Sequence, residues 1–194
     1  MKAEFYYHYP FFGDVLLVDL DSEAIPTAYQ RDGDVVTVFS EGRIVGVNLF
    51  RFSEVAKIRS SGRIFLPPDA LIDIVNDRCG FSGDQKIDYV RESGFKIGKI
   101  LQIEPLSDHR FRITVDLGGE EIDVLSECDR FEHDRVVVAG TGTLLADGKR
   151  VGRTEKGVLC SSRDLHAESD DPDRPLTLEE ELSPGTDFFT VRSR

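Results

Sequence analysis

Residues 135–165 read RVVVAGTGTLLADGKRVGRTEKGVLCSSRDL, and this stretch decides the fold class. It opens on Arg135-Val136-Val137-Val138-Ala139, an unbroken β-branched run of the buried-strand type. The Gly140-Thr141-Gly142-Thr143 turn leads into a second short apolar run, and the stretch closes on Gly157-Val158-Leu159-Cys160. A pyrophosphate site here would need a helix N-terminus directly after the glycines. Ala146-Asp147-Gly148 breaks the chain too soon for that helix, so Gly140 to Gly142 reads as a tight inter-strand turn.

Outward from this stretch, the C-terminal half is a series of short strands: Lys96 to Ile103, Phe111 to Leu117, Glu121 to Leu125, Arg135 to Ala139, Thr143 to Leu145 and Val158 to Cys160. Leu117-Gly118-Gly119-Glu120 and Ala146-Asp147-Gly148 mark turns between them. Strands this short and closely spaced suit a small closed barrel better than two large packed sheets.

The N-terminal half mixes strands with one helix. Phe5 to Tyr9 and Val15-Leu16-Leu17-Val18 are strand-like, separated by a turn at Pro10 to Asp14. Val35 to Phe39 and Ile44 to Phe50 flank Ser40-Glu41-Gly42-Arg43 and predict a hairpin. Pro67-Pro68-Asp69 starts a helix that carries Leu71, Ile72, Ile74 and Val75 and ends near Cys79-Gly80. Phe81-Ser82-Gly83-Asp84 and the polar residues after it read as the linker, with the boundary near Glu92-Ser93-Gly94, which gives an α+β domain over 1–93 and a five-stranded barrel domain over 94–194. The whole is mainly β with some α.

From His166 onward acids dominate, and the segment reads as a solvated acidic extension. Its closing stretch, Pro184 to Phe189, reads as a turn and an apolar strand that packs back onto the barrel.

Composition excludes several classes. With 40% apolar residues the chain can bury a core, and no apolar run approaches the roughly 20 residues that span a bilayer. The aromatic N-terminus is interrupted by Glu4, His8 and Asp14 and reads as a strand rather than a signal peptide. A cytoplasmic protein without membrane partners is expected. Three scattered cysteines give neither a disulfide framework nor a C-x-x-C pair. Glu132-His133-Asp134 lies on adjacent positions that cannot all face one ion, so no metal is expected. Cys160 as a nucleophile would have His166 near it in sequence but no third member. No catalytic constellation and no cofactor site emerge; the chain reads as a non-enzyme.

The formal net charge of −12 opposes a generic nucleic-acid binder. One window runs against it: between Asp147 and Leu165 the cations Lys149, Arg150, Arg153, Lys156 and Arg163 outnumber Asp147, Glu155 and Asp164. On composition such a loop is either a solvated surface loop or, on a small barrel, a phosphate-tracking face, which Lys99, Arg110 and Arg112 would extend, with Phe111 or another exposed aromatic as a stacking surface for a base.

Several motifs then fall into one order. Phe12-Gly13-Asp14-Val15-Leu16-Leu17 matches F-G-D-x-L-L, Gly33-Asp34-Val35-Val36 matches G-D-V-V, and Gly46-Val47-Asn48-Leu49-Phe50 matches G-x-N-x-F. Gly157-Val158-Leu159-Cys160-Ser161-Ser162-Arg163-Asp164-Leu165 resembles an S-x-G-M-x-C-S-x-x-E-L ending. Together they resemble the free-standing bacterial tRNA-binding-domain proteins of the YtpR type. Their barrel is the OB-fold tRNA-binding domain also found in the beta chain of bacterial phenylalanyl-tRNA synthetase. Departures from the family pattern fall at Asp129, Glu155 and Val158. The resemblance, with these departures, implies an OB-fold barrel that binds structured tRNA weakly and through its shape, without catalysis. The expected contacts are Lys99, Arg112, Lys149, Arg150, Arg153, Lys156, Ser161 and Arg163. The other expectation is a protein-interaction module, or a homodimer, that keeps the OB fold without tRNA affinity.

Overall fold

Strands dominate the computed structural model, which describes residues 3–58, 62–152 and 156–192. The chain divides into two units, Met1–Arg91 and Glu92–Arg194. Among the described residues no helix is long and apolar enough to cross a membrane.

The first unit is one antiparallel six-stranded sheet with a helix on one face. Its strands are β1 (Glu4–Tyr7), β2 (Val15–Asp19), β3 (Ala28–Asp32), β4 (Val35–Ser40), β5 (Arg43–Phe50) and β6 (Gly62–Ile64), in the spatial order β3-β4-β5-β2-β1-β6. Alternation sets the buried face: Phe5, Tyr7, Leu16, Val18, Val47 and Leu49 point to the core. The predicted turn at Pro10 to Asp14 is instead one helical turn, α1 (Tyr9–Phe12), ending at Gly13 with φ 75°. Proline is preorganised for the start of a helix, which explains the difference.

The predicted helix forms as α2 (Asp69–Cys79). Gly80 ends it in the left-handed region, its N–H reaching the carbonyls of Asn76 and Asp77. Leu71, Ile72 and Val75 pack into the sheet's core. Phe81 and Ile87 are also buried there, so the expected linker at Phe81 to Asp84 is instead part of the first unit. Buried Asn76 fastens this segment: its Nδ2 donates to the Ile87 carbonyl at 3.1 Å, and the Ile87 N–H donates to its Oδ1 at 2.8 Å.

The second unit is a barrel. Its strands β7 (Phe95–Ser107), β8 (Arg110–Asp116), β9 (Glu121–Ser126), β10 (Arg135–Gly140) and β11 (Gly157–Leu159) run in the order β11-β10-β7-β8-β9. β9 and β11 lie side by side, so five antiparallel-paired strands nearly close in the OB-fold order. Ile113, Val115, Ile122, Val124, Val136, Val138 and Leu159 fill the interior. β7 reaches around the barrel because its register slips between Ile100 and Gln102 and again between Pro105 and Ser107.

Two expectations in this unit are corrected. Thr143 to Leu145 is not a strand; only an isolated bridge joins Leu144 to Arg150. The apolar stretch after Asp187 is a short helix, α3 (Phe188–Arg192), not a strand. Asp187 explains it: its Oδ1 accepts the N–H groups of Phe189 at 3.0 Å and Thr190 at 3.4 Å, a helix-capping arrangement.

The acidic extension is only partly the solvated segment expected. Its acids at Asp170, Asp171, Asp173 and Glu179 to Glu181 are exposed, but its backbone is built into the barrel. β12 (Thr177–Leu178) pairs with β10, and Gly185 and Thr186 exchange hydrogen bonds with Ile97 of β7, both at 2.8 Å.

Candidate nucleic-acid interface

The loop between β10 and β11 is tied down at its base by its own backbone. The Gly142 N–H donates to the Val151 carbonyl and the Val151 N–H to the Thr143 carbonyl, at 2.8 and 2.9 Å. The Leu145 N–H donates to the Lys149 carbonyl at 2.8 Å and the Gly148 N–H to the Leu145 carbonyl at 3.1 Å, making a tight turn at the predicted Ala146-Asp147-Gly148. Lys149, Arg150 and Lys156 are therefore carried on one loop, all exposed. Arg153 and Glu155 lie outside the described residues.

The cations of this loop have local partners. The Lys149 ammonium is 3.0 Å from Asp147, with the lysine side chain 82% exposed. The Lys149 amide and ammonium beside Asp147 hold its carboxyl below the usual carboxylate range. Arg150 donates from Nη1 to the Gly142 carbonyl at 3.1 Å, back across the loop.

Ser161 and Arg163 follow β11 and are joined to the same loop by Asp164. The Asp164 carboxylate accepts the Ser161 N–H at 3.0 Å and hydroxyl at 2.8 Å on Oδ2, and the Ala146 N–H at 3.2 Å on Oδ1. One carboxylate thus couples the recognition-like ending to the basic loop. In the sequence Asp164 enters as an acid that reduces the loop's positive charge and as the acid of the S-x-x-E-L match, and its serine–x–x–aspartate spacing is the local signal of this role. The acidic extension reaches this end as well: Arg163 pairs with Asp173 at 3.1 Å, and the Arg163 N–H donates to the Pro172 carbonyl at 3.1 Å.

Lys99 and Arg112 lie elsewhere on the barrel. Lys99 sits opposite Arg135, at the end of β10 remote from the loop. Arg112 sits opposite Glu104, roughly 16 Å of strand path further along β7. Each has a carboxylate beside it: Asp134 at 3.9 Å from Lys99 and Glu104 at 3.5 Å from Arg112. The expected contacts therefore form two groups, the loop with Ser161 and Arg163, and the outer face of β7 and β8. Phe111 is not an exposed stacking surface; it is half-buried and packs on the barrel core, while Arg110 and Arg112 point outward.

The Cys160 thiol is buried. Burial pushes the Cys160 thiol up, well beyond its ordinary range, and Asp164 adds to the effect. His166 is exposed and sits in a left-handed backbone conformation with φ 51°. Among the described residues no three His, Cys, Asp or Glu side chains are grouped to hold a metal.

A family model described as a domain of unknown function (DUF4479) matches residues 22–85, within the first unit. No curated protein matches the chain.

Proposed function

We propose that this chain is a non-catalytic cytoplasmic protein of the YtpR type whose barrel binds structured RNA, transfer RNA being the class the sequence resemblance indicates. The observation that carries the reading is the joining of Lys149, Arg150 and Lys156 with Ser161 and Arg163 at one end of an OB barrel, through Asp164. The loop between the fourth and fifth strands is one of the two loops that OB folds use for oligonucleotides. Lys149, Arg150 and Lys156 would track phosphates, with Arg163 released from Asp173 to join them.

The test is a gel shift with unfractionated tRNA across a salt series. Binding at low salt that weakens linearly with log salt is expected, because phosphate contacts release counterions. Replacing Lys149 and Arg150 together by Glu should abolish the shift. No binding at low salt, or binding indifferent to those substitutions, rejects the reading.

A second reading, a protein-interaction barrel, is favoured by the outer face of β7 to β9. There Lys99 and Arg112 sit beside carboxylates, and Leu101, Ile103, Leu106 and Leu125 are exposed on the same strands. Specific retention of one protein, lost on changing Leu125 to Asp while the tRNA shift is absent, would select it.

A further inference from the structure

Among the described residues the first unit leaves the outer edge of β3 open. β3 is the outer strand of its sheet, and all five of its residues are exposed, Tyr29 at 78%. The opposite edge, β6, is only three residues long, and short edges are poor templates for another strand. β3 has neither protection: it contains no proline and no bulge against β4. Its one cation is folded back, since Arg31 lies over the Phe50 ring at 5.1 Å and donates from Nε to the Gly33 carbonyl.

The direction of the unused backbone groups follows from the register. The Phe50 N–H donates to the Asp34 carbonyl, so even-numbered residues at this end of β4 bond toward β5 and odd ones toward β3. Asp32, opposite Val35, and Gln30, opposite Thr37, therefore bond to β4. Tyr29 and Arg31 turn their N–H and C=O groups to the open side.

We propose that β3 pairs with β3 of a second copy of this chain, antiparallel and centred on Gln30, to make one continuous sheet across a two-fold axis. In this register Tyr29 of each chain lies opposite Arg31 of the other, and the two pairs exchange four N–H···O bonds. Asp32 lies opposite Ala28 and Tyr29 opposite Arg31, whose guanidinium stays over its own Phe50, so no like charges oppose. A register centred on Tyr29 would place Pro26 opposite Asp32 and lose this matching. An isologous contact of this kind closes as a dimer rather than growing into a filament. The surface belongs to the first unit and does not depend on RNA binding by the barrel.

The two-fold puts Gln30 opposite itself as a close non-bonded pair, which supplies the test. Sedimentation of the full chain should give a dimer. Gln30→Glu and Gln30→Lys each place like charges face to face and should weaken the dimer by about fivefold. An equimolar mixture of the two variants should dimerise again. Gln30→Cys should link into a covalent dimer under mild oxidation, whereas Arg31→Cys, facing Tyr29, should not. A monomer at all concentrations overturns the proposal, and so does a dimer that both charge variants leave unchanged.

Discussion

In the second unit the stretches of β7 and β10 that β8 and β11 leave unpaired are taken by the chain's own last residues, whereas in the first unit the outer edge of β3 stays open among the described residues. The barrel completes itself in three places. β12 extends the β11 side of β10, Gly185 and Thr186 bond Ile97 of β7, and Asp187 holds Ser93 by its amide at 2.6 Å and its hydroxyl at 2.8 Å. The sheet of the first unit buries one face under α2 and, among the described residues, leaves the outer edge of β3 unpaired. An acidic, exposed segment thus does structural work in one unit, and an exposed strand edge stays unused among the described residues of the other.

The largest way to break this contrast is to remove residues 177–194. That deletion strips the partners of Ile97 and Ser93, the Leu182 carbonyl that accepts from Arg135, and the buried Phe188. The expected loss is on the scale of the barrel's whole stability, about 5 kcal/mol or more. All five tyrosines, Tyr6, Tyr7, Tyr9, Tyr29 and Tyr89, belong to the first unit. Tyrosine emission therefore reports that unit alone, while far-UV dichroism reports both. The truncated chain should lose barrel strand signal and keep its tyrosine transition; parallel loss of both would refute the independence of the two edges.

A narrower test acts where the last segment crosses the β8–β9 turn. Gly118 has φ 76°, and a Cβ there would stand 2.3 Å from the Pro184 carbonyl oxygen; Gly185, with φ 84°, faces Leu117 as closely. Gly118→Ala should cost about 2–4 kcal/mol, from left-handed strain plus the clash. Gly148→Ala has a similar φ of 83° but open space around it, and should cost only about 1–2 kcal/mol. Urea midpoints by far-UV dichroism would measure the difference, and equal costs would mean that the crossing is slack.

The barrel strands, the hairpin of β4 and β5, and α2 were legible because each rests on local pattern: β-branched runs, glycine turns, a proline start and a glycine stop. β3 was not, because Ala-Tyr-Gln-Arg-Asp carries no alternating apolar face; an edge strand with both faces wet has none to carry. α3 was misread for the converse reason. Phe188 and Phe189 have strand character in isolation, and a cap from Asp187 sets them helical. The cations of the candidate site were visible, but their partners were not. Lys99 meets Asp134 and Arg163 meets Asp173 across folded distance, which no local window contains. Asp164 shows the limit most clearly, since it lowers the loop's charge by count and secures the loop by geometry.

A pH series tests what holds the open-edged unit together. Asp14 accepts the Ser53 amide at 2.8 Å, the Ser53 hydroxyl at 2.6 Å and the Tyr7 hydroxyl at 3.0 Å, which gives the F-G-D motif a structural role. Burial raises its carboxyl, but the donors of Ser53 and Tyr7 outweigh burial and leave it below the ordinary carboxylate value. A folded value below the unfolded one means that the stability it contributes is complete above the unfolded value, about pH 4, and is lost as pH falls through the folded value. Asp14→Asn should therefore destabilise the first unit by about 1–3 kcal/mol at pH 7. The gap from the wild-type protein should narrow as pH drops below about 4. Tyrosine-detected urea midpoints at a series of pH values would show it, with the barrel's far-UV transition unmoved. A gap that stays constant down to acid pH would mean that Asp14 acts by shape and not by charge, leaving the first unit's acid sensitivity to other carboxylates.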